Sequence, residues 1–358
     1  MPFDARSFPG PADESRAGAG RRPVAIWLLA VAAMILVMIA LGGATRLTGS
    51  GLSIMEWAPL SGALPPTSQA EWQRLYDLYR TIPQYQLVNA GFGLDGFKQI
   101  FWLEWVHRLW GRLIGLAFIV PLIWFWVRGL LPAGLGRRLV MLFVLGGLQG
   151  AVGWFMVASG FEADRTAVSP YRLVIHLALA FALLAAVLWT AFGVLRPLPD
   201  PVPGGRGVRR AVLGTLALAG ITMLAGGFVA GLRAGLTYNT FPLMDGSIVP
   251  AGYASLSPWW LNAFENIGAV QFNHRLLATL TLLGGLAVAV LARGAEAAGG
   301  ARGAAWLFAG AVLVQYALGI ATLLLVVPVP LGTLHQTVAA LVLSAGLFAL
   351  HRLRGARA

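Results

Sequence analysis

Apolar and polar positions alternate along this chain on the scale of a bilayer. Eight predominantly apolar runs, at roughly 24–43, 106–127, 138–158, 171–194, 211–231, 273–292, 303–326 and 332–350, are separated by polar segments. About twenty apolar residues in helical conformation cross the hydrocarbon core, so the pattern predicts eight transmembrane helices. Two of the separating segments, 44–104 and 232–271, are long; the rest are short. In the first long segment Ser68 and Glu71 have capping-box spacing, and Trp72, Leu75, Tyr76 and Tyr79 fall on one helical face. That predicts a short amphipathic helix over the mouth of the first helices. Residues 1–22 are polar and read as a disordered tail; the apolar run after them is too long for a signal peptide and is kept as the first helix.

The pattern also repeats. "GGATRLTGSGLSIMEWAPLSGALPP" (42–66) follows the first run and "GGFVAGLRAGLTYNTFPLMDGSIVP" (226–250) follows the fifth. "WVHRLWGRL" matches "FNHRLLATL", "LQGAVG" (148–153) matches "VQYALG" (314–319), and "VIHLALAFALL" aligns with "TLHQTVAALVL". An even number of helices per repeat gives both repeats the same orientation, related by an axis along the membrane normal. The expectation is an all-α polytopic membrane protein of eight transmembrane helices in two pseudo-symmetric four-helix bundles. The division runs 1–22 tail, 23–195 first bundle with its outer loop 44–104, 196–210 linker, 211–350 second bundle, and 351–358 tail.

Composition agrees: of 358 residues 58% are hydrophobic and 11% charged, with mean hydropathy +0.74, as for a membrane protein. The net charge of +12 does not point to nucleic acid, because it is distributed by topology. With the N-terminus inside, the inner segments carry 16 of the 26 basic residues and 5 of the 14 acids. This positive-inside excess places both termini in the cytoplasm. There is no cysteine, which excludes disulfides, thiolate catalysis, Fe–S clusters and thiolate-bound zinc.

Candidate chemistry lies in the histidines. His351 stands in the last turn of the chain's final helix and reads as an interfacial residue. His107, His176, His274 and His335 sit on the second, fourth, sixth and eighth helices, near the outer ends and at similar depth. Membrane helices use lone histidines for interhelical hydrogen bonds, but two pairs at equivalent positions of a duplicated bundle favour metal ligation. Two imidazoles on facing helices suit the axial positions of a haem. The residue four beyond each, Gly111, Ala180, Ala278 and Ala339, is small; it lies on the same helix face, where a porphyrin would collide with bulk. Arg108 and Arg275 follow two of the histidines and are candidates for pairing with haem propionates. Glu104 precedes His107 by three residues, whereas Gln271 precedes His274. A carboxylate at one site only suits proton chemistry there; the plainer alternative is an acid at a helix start, favoured by the dipole.

Taken together, "GGATRLTGSGLS", "EWVHRLWGRLIG", "GLQGAVGWFMVASG", "VSPYRLVIHL", "GLRAGLTYNTFPLMDG", "FNHR" and "LGTLHQT" resemble the heme A synthase family over about residues 24–350, with the long first loop of its alphaproteobacterial and mitochondrial branch. The resemblance implies oxidation of a methyl of heme O to the formyl of heme A, in two successive steps, for cytochrome oxidase biogenesis; a chemically reasonable route has water, as oxygen source, trap the electron-poor methyl carbon. It implies heme O or heme A held by His107 and His176, haem b by His274 and His335, and Glu104 as the catalytic carboxylate. It further implies an inner-membrane location with the haem sites toward the periplasm, heme O synthase and oxidase assembly factors as candidate partners, and a quinone as candidate electron acceptor. Cysteine pairs found in the loops of some family members are missing here, so no thiol step is essential in this chain. A non-enzymatic di-haem cytochrome accepting electrons from quinol would need the same four histidines but leaves the Glu104/Gln271 contrast unexplained. A transporter with histidines on a proton path would carry no haem.

Overall fold

The computed structural model describes residues 11–294 and 300–357. Its long helices are α1 (Pro11–Leu47), α4 (Leu94–Val127), α5 (Leu135–Ala158), α6 (Pro170–Leu195), α7 (Arg206–Gly231), α8 (Ile267–Gly294), α9 (Ala301–Leu324) and α10 (Val329–Arg352), with two short helices, α2 (Gln69–Tyr79) and α3 (Pro83–Leu87), in the first long loop. Among the described residues, eight helices are long and apolar enough to cross a membrane. The chain is an all-α multi-pass membrane protein. Residues 1–10 of the expected tail lie outside the described residues, and from Pro11 the chain is helical and continuous with α1.

Neighbouring helices form two rings. In the first half α1 packs on α4 and α6, and α5 bridges α4 and α6; in the second, α7 packs on α8 and α10, and α9 bridges α8 and α10. Between the halves α1 lies against α10 and α6 against α7, while α6 and α10 meet each other. Exchanging the halves converts each of these contacts into another of the set, as a pseudo-two-fold axis beside α6 and α10 requires. The turns obey the same symmetry. Gly134 before α5 and Gly300 before α9 both adopt left-handed backbone, at φ 76° and 80°, which glycine reaches without the Cβ penalty. Proline opens α6, and Pro330 lies in the first turn of α10, where a missing N–H costs nothing.

The predicted loop helix forms as α2. Ser68 caps it by accepting from the Glu71 N–H, and Trp72, Leu75, Tyr76 and Tyr79 are its buried face. They pack with Phe97, Ile100 and Phe101, which belong to a part of α4 absent from the predicted span. The helix begins at Leu94, a dozen residues before the apolar run, because its first turns are buried by α2 and not by lipid. At the opposite end, Pro201–Val202 of the linker pairs in parallel with Gly355–Ala356. This small ribbon ties the connection between halves to the C-terminal tail.

Candidate functional site

The four histidines occupy equivalent places. His107 on α4 and His176 on α6 belong to helices diagonal across the first ring; His274 on α8 and His335 on α10 do so in the second. The members of each pair lie within electrostatic reach of each other. All four imidazoles, and the i+4 residues Gly111, Ala180, Ala278 and Ala339, are only half-buried although they sit deep between helices. They line internal space. His176, His274 and His335 lie within about two turns of the starts of α6, α8 and α10, near the outer ends as expected, whereas the extension of α4 puts His107 in its fourth turn.

Each histidine faces a glycine. A Cβ on Gly42 would lie 3.3 Å from His107 Nε2; one on Gly153, 2.9 Å from His176 Cε1; one on Gly226, 2.9 Å from His274 Cε1; and one on Gly319, 3.0 Å from His335 Cε1. These glycines stand at matching places, five residues before the last residues Leu47, Ala158, Gly231 and Leu324 of α1, α5, α7 and α9. The neighbouring glycine of each Gly-Gly pair works differently: Gly43 lies against Gln336 of α10 and Gly227 against Val174 of α6, where the halves meet. Sequence reasoning missed the four cradle glycines, although all of them stand inside the repeated segments. Gly111 has a second constraint, since its Cβ would come 3.3 Å from Met38 of α1.

Three of the four histidines are braced from behind. His274 Nδ1 lies 3.1 Å from the Thr222 carbonyl. Gln149 Nε2 lies 3.2 Å from His176 Nδ1 and donates to the His176 carbonyl at 3.1 Å, and Gln315 donates to the His335 carbonyl at 3.1 Å. At His274 the Thr222 carbonyl accepts from Nδ1–H, which fixes the ring and leaves Nε2 for a metal. The residues fit a bis-imidazole haem: two imidazoles per cleft and side walls cut back to glycine and alanine.

Beside each cleft is a clamp that is the same in design and opposite in polarity. Glu104 Oε2 accepts from Ser53 Oγ at 2.7 Å and from the Ile54 N–H at 3.0 Å, while Oε1 accepts from Arg108 Nε at 3.0 Å and Nη2 at 2.6 Å. Arg108 also donates to the Ile54 and Glu56 carbonyls. In the second half Gln271 donates to the Ala234 and Thr237 carbonyls at 2.7 and 2.6 Å and accepts from Arg275 Nη2 at 2.8 Å; Arg275 donates to the Tyr238 and Thr240 carbonyls. Glu104 Oε1 accepts two N–H groups of Arg108 where Gln271 Oε1 accepts one of Arg275, and Arg275 Nε is left buried without a partner. Glu104 is 2% exposed and ten residues inside its helix, so it is no helix-start acid. Arg108 and Arg275, expected beside propionates, are here engaged with loop carbonyls. The Arg46 guanidinium, by contrast, has no acidic partner among the described residues; it stands one turn beyond Gly42 on the same face of α1 and its charged neighbour is Arg233. His351, expected as an interfacial residue, is 3% exposed and packs on Trp189 and Phe192 of α6, far along α10 from the clefts.

Fold and site together define a class: a duplicated helical membrane protein with a paired-imidazole cleft in each half. A family model described as cytochrome oxidase assembly protein (COX15-CtaA) matches residues 25–347. A protein of Granulibacter bethesdensis named heme A synthase is 62% identical over 93% of this chain and 88% of its own length. One of the same name from Rhodospirillum centenum is 48% identical over 96% of this chain and 91% of its own. Heme A synthase 2 of Acidiphilium cryptum is 45% identical over 96% and 95%. The chain belongs to the heme A synthase family of cytochrome oxidase assembly proteins.

Proposed function

We propose that this protein oxidises heme O to heme A for cytochrome oxidase, with the substrate in the first bundle and a resident haem b in the second. Family membership supports the reaction. The observation that carries the assignment of sites is a contrast between the two equivalent clefts: one has a carboxylate, Glu104, where the other has the amide of Gln271. His107 and His176 are the proposed axial ligands of heme O or heme A, and His274 and His335 those of haem b. The bound substrate supplies a methyl group whose oxidation its conjugated ring makes accessible.

The chain's own groups hold and polarise. Glu104, paired with Arg108, stands one helical turn from His107, and we assign it stabilisation of positive character and acceptance of the proton released when water adds. Ser53, hydrogen-bonded to Glu104, is the side chain through which such a proton would pass. Arg108 and Arg275 set the loops that roof the two clefts, and Arg46, without an acidic partner among the described residues, is the proposed propionate partner. Two successive oxidations with water as oxygen source, a haem b that would serve as an electron acceptor, a quinone as a further candidate acceptor, and clefts facing the periplasm with both termini cytoplasmic complete the reading. Heme O synthase and oxidase assembly factors are its proposed partners.

The test is haem extraction and chromatography of the purified protein, expressed where heme O is made and the native enzyme is deleted. Haem b together with heme O or heme A is expected. Haem b alone would favour a di-haem cytochrome, and no haem a transporter.

A further inference from the structure

The two bundles differ along one seam, and the difference is on the apolar side of the clefts. In the second half α8 and α9 are sewn together below the histidines. Tyr316 of α9 and Thr279 of α8 share a hydrogen bond of 3.1 Å, and Val312 packs so tightly on Gly285 that a Cβ there would be 3.0 Å away. The repeat places Gly150 where Tyr316 stands, Gly146 where Val312 stands, and Gly115 where Leu282 stands. A Cβ on Gly115, Gly146 or Gly150 would meet nothing within 4 Å. The side chain in the place of Thr279 is Arg112, which is drawn up to the Ala58 and Pro59 carbonyls. Accordingly only 6% of the apolar stretch of α5 is buried, against 22% for α9, and 17% for α4 against 28% for α8.

Glycine inside a helix costs up to about 1 kcal/mol relative to alanine. In membrane proteins that cost is usually offset by close approach of two helices, and here the helices do not approach. The gap is bounded. Above it lie the His107–His176 cleft and the buried, unpartnered Gln149 Oε1; below it Phe118 of α4 stacks on Phe143 of α5 at 6.1 Å. From Gly111 to Phe118 the helix rises about 10 Å. Interiors otherwise close-pack.

We propose that the α4–α5 seam is a lateral opening from the lipid into the first cleft, occupied by an edge of the substrate tetrapyrrole and its long isoprenoid substituent, and used for entry of heme O and exit of heme A. The proposal rests on the reading that the first cleft is the substrate site. Its logic is kinetic. A resident cofactor is enclosed once, and the second bundle is closed along its α8–α9 seam. A substrate and product must pass at every turnover, and an apolar tetrapyrrole partitions into the bilayer, so its path opens sideways.

The test copies the sealed half into the open one. Gly150→Tyr and Gly146→Val install the residues found at Tyr316 and Val312; Gly147→Leu, at a lipid-facing neighbour matched by Leu313, is the control. Each is expressed with heme O available and the native enzyme deleted, and haem b and heme O plus heme A are measured per purified polypeptide. Gly150→Tyr and Gly146→Val should lose heme O and heme A at least tenfold and keep haem b, and Gly147→Leu should match the parent chain. Undiminished heme O and heme A in both variants would overturn the opening, as would loss of haem b in both, which would make the seam a packing element. If the parent chain itself carries haem b but neither heme O nor heme A, the substrate reading fails first and the opening with it.

Discussion

Replacing Gly226 by alanine isolates the cradle from the ligand. The added Cβ would lie 2.9 Å from His274 Cε1, whereas carbon atoms pack best at about 3.5–4.0 Å. The imidazole or α7 must therefore yield by roughly 0.6–1.1 Å. The ring cannot yield freely: Nδ1 is held by the Thr222 carbonyl on the same helix as the glycine, and Nε2 would be bound to iron. Overpacking of this kind costs about 1–3 kcal/mol. The opposing gain in helix propensity is at most about 1 kcal/mol. The overpacking wins by about 1–2 kcal/mol, a factor of 5–30 in haem b retention. The assay is haem b per polypeptide after purification and the rate of haem loss to an apo-haem protein in excess. Gly310→Ala on α9, where a Cβ meets nothing within 4 Å, should behave as the parent chain. Gly42→Ala, with 3.3 Å to His107, should act on the first cleft only and more weakly than Gly153→Ala at 2.9 Å. Full haem b retention in Gly226→Ala, or equal damage from Gly310→Ala, would refute the cradle.

The remaining predictions address ligands, clamp and loop. His274→Ala and His335→Ala should each lose the haem b spectrum, and His107→Ala and His176→Ala should lose heme O and heme A while haem b persists; spectra and extracted haems of the four variants decide this. Glu104→Gln removes the charge and sets an amide donor against the Ile54 N–H or an unfilled guanidinium, so heme A formation should fall on the order of 10²-fold with haem b unchanged, and heme O or a half-oxidised product should accumulate; normal heme A would deny the carboxylate any role in the reaction. In the exposed clasp on α2, Arg74 donates to Glu56 and Glu71 and holds both carboxyls below the ordinary carboxylate range. A lowered folded-state pKa stabilises above the unfolded value and is lost as pH falls through the folded one, so α2 should become more open to proteolysis in acid and in high salt, whereas Arg74→Ala at neutral pH should cost no more than about 1 kcal/mol.

Much was legible in the chain because a membrane imposes one-dimensional rules. Spans follow from runs of apolar residues, and the duplication from matched segments. The four histidines stood out because ionisable groups in lipid are costly. The α2 cap and its buried face followed from local spacing, since both are set within one helix. The length of α4 did not: its first turns are covered by α2, a contact between segments that no hydrophobic run records. Gly42, Gly153, Gly226 and Gly319 were visible in the repeats but mute, because a glycine gains meaning only from the side chain it admits, and each admits a histidine from another helix. Arg108 and Arg275 looked free for propionates until the loops folded back and brought carbonyls to them. The Glu104/Gln271 and Gly150/Tyr316 differences stand in the sequence, but which loop groups each clamp engages, and whether α4 meets α5 as α8 meets α9, were decided by tertiary structure. Both are differences in what surrounds equivalent backbone positions, and only packing of distant segments determines those surroundings.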